Sequence, residues 1–78
     1  MDLPTNIKKD DKNNVYYTII QDGKEIEFKV GIGWVETKIQ SYKDKIIQVN
    51  ENDPEMLQFY KDKRDFYQYI KDKYDTLG

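Results

Sequence analysis

Residues 15–30 read VYYTIIQDGKEIEFKV, and this stretch decides the fold. Apolar and polar residues alternate on both sides of Asp22-Gly23, a pair that is typical of a two-residue type I′ turn. Such a turn fixes the register of the two strands. The apolar pairs that then share one face are Val15/Val30, Tyr17/Phe28 and Ile19/Ile26. Because a one-residue slip would move all six side chains to the opposite face, turn and alternation select the same β-hairpin.

The C-terminal segment 54–77 has the features of one long helix. Asp53 can cap it, Pro54 suits the first helical position, and Glu55 complements the positive end of the helix dipole. Successive steps of 100° place most apolar residues of the segment within an arc of about 120°, the width of a core-facing stripe. These residues are Met56, Phe59, Tyr60, Phe66, Tyr67, Ile70, Tyr74 and Leu77.

Between hairpin and helix the pattern has two interpretations. Alternating β-branched residues favour a strand over 34–40, followed by a turn at 41–44 and a further strand over 45–49. Val35, Ile39, Tyr42 and Ile46 also fit one face of a helix. We prefer the strands, because only Gly33 could cap a helix that starts at Trp34.

The sequence therefore predicts an α+β fold. An antiparallel sheet, in which the 15–30 hairpin is extended to three or four strands, packs against one helix over about 54–77. Residues 1–14 are mostly polar and are predicted to be a flexible N-terminal arm, which leaves 15–78 as a single domain.

Composition argues against catalysis and metal binding. The 78 residues contain no Cys and no His, so the usual zinc ligands are missing and no disulfide can form. Ser41 is the only serine, and no general base is placed beside a nucleophile. The acidic residues Glu51, Asp53 and Glu55 are better explained as the start of the helix. We predict no enzyme activity, no cofactor and no metal site.

Charge and coding bias narrow the class of protein further. The 13 basic and 15 acidic residues give a net charge of −2, which lacks the basic excess of most nucleic-acid-binding proteins. Residues with AT-rich codons, such as Lys, Ile and Tyr, are abundant, and alanine is absent. This bias is typical of a low-GC bacterium or its phages. With no apolar leader at residues 1–14 and no apolar run of about 18 residues, a cytoplasmic protein is expected.

The length of the helix suggests a binding surface. A helix over 54–77 is about 36 Å long, whereas strands of six or seven residues span only about 20–23 Å. With Met56 and Tyr60 placed over the sheet, the C-terminal half of the helix would extend beyond it. We predict a partner-binding site there, formed by Tyr67, Tyr69, Ile70, Tyr74 and Leu77. The alternative is that the N-terminal arm folds back over this half, with Leu3 and Ile7 as cover.

These features predict a non-catalytic protein-interaction module, an inhibitor or adaptor of phage or mobile-element type. Its partner is another protein or a second copy of itself, and one alternative is a structural homodimer without a further ligand. Another is a nucleic-acid-binding accessory protein in which exposed aromatic rings stack on bases. A second candidate surface is the opposite face of the sheet, with Tyr16, Ile20 and Trp34.

Overall fold

The computed structural model describes residues 3–49 and 52–77, which form three strands and two helices. In chain order these are strand β1 (Thr5–Lys9), strand β2 (Asn14–Gln21), strand β3 (Lys24–Gly31), helix α1 (Ile32–Gln48) and helix α2 (Pro54–Thr76). The strands make one antiparallel sheet in the order β1-β2-β3. The predicted α+β class with a long C-terminal helix is confirmed.

The β2–β3 hairpin has the predicted turn and register. Asp22 and Gly23 both adopt positive φ angles, 53° and 75°, as a type I′ turn requires. Gln21 pairs with Lys24, and the register continues without interruption along both strands. We refer to the side of the sheet that carries Val15 and Tyr17 as the inner face.

The prediction of a loose arm over residues 1–14 is wrong for its central part. Thr5–Lys9 forms strand β1, which pairs with β2 along one edge of the sheet. The pairing is irregular between Thr5 and Lys8, where Asn6 has a φ of 53°. TNIKK has little strand character of its own, so pairing with β2 determines the conformation of this segment.

A hydrogen-bonded turn centred on Asp10 joins β1 to β2. The carboxylate of Asp10 accepts hydrogen bonds from the backbone N–H groups of Lys12 (2.9 Å) and Asn14 (3.0 Å), from the Asn14 amide and from the Tyr16 hydroxyl. The backbone N–H of Asn14 contributes most to holding the pKa of Asp10 far below its usual range. All four bonds favour the charged carboxylate.

This turn predicts an acid-dependent loss of stability. Because the pKa of Asp10 is lower in the folded than in the unfolded chain, its contribution is complete above about pH 5 and is lost progressively as the pH falls below about 4 toward the lowered pKa of the folded chain. We expect Asp10→Ala to lower the thermal midpoint at pH 7 and to reduce the further drop between pH 5 and pH 2. Circular dichroism melts would measure both effects. Asp11→Ala is the control, and an identical response of the two variants would contradict the role of Asp10.

The predicted strands over 34–40 and 45–49 are wrong. Residues 34–48, which include the predicted turn at 41–44, belong to helix α1, which starts directly after Gly31, has no side-chain cap and ends before Val49. Val35 and Ile39 are buried on one side of this helix, and Tyr42 and Ile46 continue the same side. The helical interpretation of these four residues, given above as the alternative, is therefore the correct one. Helix α2 supplies the surface against which they pack.

Helix α2 begins as predicted. Asp53 is its N-cap, and its carboxylate accepts a hydrogen bond from the backbone N–H of Met56 at 3.1 Å. The two helices run antiparallel, since Trp34 contacts Tyr67 whereas Tyr42, farther along α1, contacts both Tyr67 and the earlier Tyr60.

The helix pair packs on the inner face of the sheet, and the core between the two layers is small. Tyr17 contacts Phe66 edge-to-face at 5.9 Å, which locates the C-terminal half of α2 over the sheet. Burial raises the pKa of the Tyr17 hydroxyl, which keeps it neutral. The molecule measures 43 × 29 × 16 Å, as expected for two layers. In the part of the chain that is described, five residues form the buried hydrophobic core, namely Val15, Tyr17, Val35, Ile39 and Ile70, and Pro4 is buried outside this cluster.

Candidate functional site

The C-terminal half of α2, where the sequence predicted a partner-binding site, is covered by the sheet and the N-terminal segment. Ile70 is 0% exposed and lies in the core. Tyr67 and Tyr74 are half-buried and pack against the core cluster. Tyr69 and Leu77 line a shallow groove of about 230 Å³ whose other wall is β1 with Pro4. The alternative arrangement, in which the N-terminal segment folds back over this half, is observed for Ile7, which packs against the core cluster, whereas Leu3 is 48% exposed.

Tyr67 has the ring contacts of a core residue. Its ring meets Phe66 at 5.2 Å and Trp34 at 5.6 Å, both edge-to-face, and stacks on Tyr42 at 6.1 Å. Burial raises the pKa of its hydroxyl. These contacts connect α1 to α2 where both lie over the sheet, so Tyr67 holds the two helices together.

The second predicted surface is not assembled either. Tyr16 and Ile20 alternate with the inward-facing residues of β2 and lie on the outer face of the sheet. Trp34 is on α1, against Tyr67, and the helices cover the inner face. The sheet therefore separates Trp34 from the other two residues. Sequence spacing could not show this, because Trp34 was assigned to a strand.

The uncovered part of the helix pair is its opposite end, where α1 finishes and α2 begins. Three large apolar side chains are exposed there: Ile47 by 81%, Phe59 by 49% and Met56 by 40%. Half-buried apolar residues of the same helix ends are Ile46, Val49 and Tyr60, and Val49 and Tyr60 line a pocket with Met56. We call these six residues the open end. Met56 and Tyr60 were predicted to lie over the sheet, and the exposure of Met56 contradicts that prediction.

Lys63 marks the boundary between the core and the open end. On the sheet-facing line of α2 it stands between Phe66, which contacts Tyr17, and Phe59. Its ammonium lies 5.6 Å from the centre of the Phe59 ring. A charged side chain at this position interrupts the apolar stripe, because burial of its ammonium would be costly. Phe59 and Met56, which precede Lys63 in α2, are exposed.

Two shallow pockets meet at Met56. The larger, about 400 Å³, is lined by Met56, Phe59, Asp53 and Glu55. The smaller, about 160 Å³, lies between the helices and is lined by Lys45, Gln48, Val49, Met56 and Tyr60. The larger pocket therefore combines an apolar floor with an acidic rim, an arrangement suited to an apolar group that lies beside a positive charge.

The polar chemistry of the described residues indicates no metal centre. Among residues 3–49 and 52–77, no group of three or more His, Cys, Asp or Glu side chains is arranged to hold an ion. The Asp53 carboxylate is occupied as a helix cap. No helix in the same part of the chain is long and apolar enough to cross a membrane.

Sequence reasoning missed the open end for an identifiable reason. Met56 and Phe59 were recognised as part of the apolar stripe, but the wrong half of α2 was placed over the sheet. Ile47 was assigned to a strand. The available signal was Lys63, whose charge inside the stripe separates a covered part from an uncovered one.

Comparison of the chain with protein-family models, with curated proteins and with solved structures gives no match.

Proposed function

We propose that the protein is a non-catalytic protein-interaction module, an inhibitor or adaptor that binds a partner protein through the open end. One observation carries this proposal: Met56 and Phe59 are exposed in the same pocket, at the end of the helix pair where Ile47 is exposed as well, in a molecule whose core is very small. Adjacent exposed apolar residues of this size commonly mark a protein-binding surface. Phe and Met are also enriched at protein interfaces relative to other surfaces.

The chemistry around Met56 supports a particular kind of partner. Asp53 and Glu55 rim the larger pocket, and Met56 and Phe59 form its floor. A partner segment with a bulky apolar side chain next to Lys or Arg would fill the floor and pair with the rim. The apolar group would supply most of the affinity, and the charge pair would fix its orientation.

An intracellular role in a phage or mobile element of an AT-rich genome agrees with the composition. Nucleic acid is a weaker candidate, because the net charge is −2 and the pocket rim is acidic. A phosphate backbone would be repelled by this rim, whereas binding to nucleic acid draws most of its affinity from cationic side chains.

Panning a displayed library of random 12-residue peptides against the immobilised full chain tests the proposal. The enriched peptides are expected to share a bulky apolar residue beside Lys or Arg. Met56→Ser combined with Phe59→Ser should weaken a synthesised consensus peptide at least about 10-fold in calorimetric titration, because the pocket floor is lost. Circular dichroism would verify that the variant remains folded.

Ile20→Ser is the matched control, because Ile20 is another exposed apolar residue but lies on the outer face of the sheet. This variant should bind the consensus peptide as the wild type does. Peptides that bind the Met56/Phe59 variant undiminished would overturn the proposal, and so would a failure to enrich any common sequence.

A further inference from the structure

Strand β3 has a free edge. It is the last strand in the order β1-β2-β3, so β2 pairs with one side of it and no strand among the described residues pairs with the other. It is eight residues long, contains no proline and keeps an unbroken register with β2. The other edge of the sheet, β1, is irregular around Asn6. An edge with the regularity of β3 is suited to pairing with another strand.

The register shows which backbone groups point outward along this edge. In a two-residue hairpin the closing pair, here Gln21 and Lys24, exchanges two hydrogen bonds, and bonded and non-bonded pairs then alternate. The bond of 2.8 Å from the Ile32 N–H to the Asn13 carbonyl fits this alternation, since it flanks a non-bonded pair. The backbone N–H and C=O groups that point away from β2 are therefore those of Glu25, Glu27 and Lys29.

The inner face of β3 is open as well. Phe28 belongs to the same face as Tyr17, and the two rings stack at 5.4 Å. Tyr17 is buried, whereas Phe28 is 37% exposed. The helix pair thus covers β2 more completely than β3. Another strand can lie beside β3 with its apolar side chains against Phe28.

We propose that two copies of the chain pair antiparallel through β3, about a two-fold axis at Phe28. This surface is separate from the open end, so the inference goes beyond the proposed function. The pairing joins two three-stranded sheets into one sheet of six strands. Because the axis is perpendicular to the sheet, both helix pairs remain on the same face, and the interface is the same patch on each copy.

The side chains of β3 select the second copy as the occupant, because they are complementary to themselves about Phe28. On the inner face, Phe28 meets its own counterpart, and Ile26 meets Val30 of the other copy. On the outer face, Glu27 meets Lys29 of the other copy, twice by symmetry. Apolar pairs and opposite charges placed directly across from each other are the pairs that stabilise antiparallel strands.

Neighbouring registers lack this complementarity. An axis at Glu27 places that residue opposite its own copy, and an axis at Lys29 does the same for Lys29. An axis at Ile26 places Glu25 opposite Glu27. Like charges directly opposite each other destabilise a strand pair. The charges therefore select the register centred on Phe28. An interface made by one strand of this length buries too little surface area for a tight dimer, so we expect weak association.

Sedimentation velocity on the full chain, from about 10 µM to about 1 mM, tests the proposal. The wild type should form a dimer within this range, as expected for an interface smaller than the standard size. Glu27→Lys and Lys29→Glu should each weaken the dimer by about 10-fold, since two attractive pairs become repulsive. The double variant Glu27→Lys/Lys29→Glu should restore it to within about 3-fold, because the pairs are attractive again with the signs exchanged.

Glu25→Lys is the matched control, because it makes the same charge change as Glu27→Lys on the same edge but faces Gly31 of the other copy. It should weaken the dimer far less than Glu27→Lys does. Three results would overturn the proposal: a wild type that stays monomeric to 1 mM, single variants that associate as well as the wild type, or a double variant that is no better than either single one. Mutation of Met56 and Phe59 should leave this dimer intact.

Discussion

Replacing Ile70 with alanine is expected to destabilise the domain by about 3 kcal/mol. Ile70 is 0% exposed and packs with Val15 and Val35 between the sheet and both helices. Removal of three carbons there loses their burial and leaves a cavity, and a domain of this length has a total stability on the order of 5–10 kcal/mol. Urea denaturation followed by circular dichroism would measure the loss.

Ile47→Ala is the matched control, since it removes the same atoms from a side chain that is 81% exposed. Its free energy of unfolding should stay within about 0.5 kcal/mol of the wild type. Equal losses in the two variants would mean that Ile47 is covered or that Ile70 is not, and either result contradicts the position of the core.

The combined change Tyr67→Ser and Tyr74→Ser is expected to cost about 4 kcal/mol and to leave little folded protein. The Tyr67 ring contacts Trp34 and Tyr42 of α1. Tyr74 packs against the core, with the Lys9 ammonium 5.1 Å from its ring. Their loss removes contacts to α1 and β1 together. Thermal melts monitored by circular dichroism would detect it.

Met56→Ser with Phe59→Ser provides the comparison within the same helix. Both side chains are at least 40% exposed, so the stability change should be about 1 kcal/mol or less. If this pair unfolds the domain and the Tyr67/Tyr74 pair does not, the sheet covers the N-terminal half of α2, and the open end is misplaced.

The sequence predicted the elements whose determinants are local. Asp22-Gly23 and the alternation around it define the hairpin, and the observed register agrees residue for residue. Asp53 and Pro54 set the start of α2 as expected. In both cases backbone preference and hydrophobic period favour the same structure.

The wrong predictions concern segments whose structure depends on distant residues. The apolar residues of segment 34–49 fit both the two-residue period of a strand and the 3.6-residue period of a helix. The helix forms because Val35 and Ile39 pack against the apolar stripe of α2. Strand β1 forms because β2 has an edge to pair with, which its own polar composition does not reveal. Without α1 and β1, the half of α2 that lies over the sheet could not be identified, and the binding surface was placed at the covered end.

The central claim is that the open end binds a partner protein, and chemical-shift mapping tests it most directly. Amide spectra of the ¹⁵N-labelled full chain would be recorded while the panned consensus peptide is added. The account predicts that the largest shifts occur at Ile47, Met56 and Phe59 and in the adjacent turns of α1 and α2. Shifts centred instead on the groove between β1 and Tyr69, or on the outer face around Ile20, would contradict it.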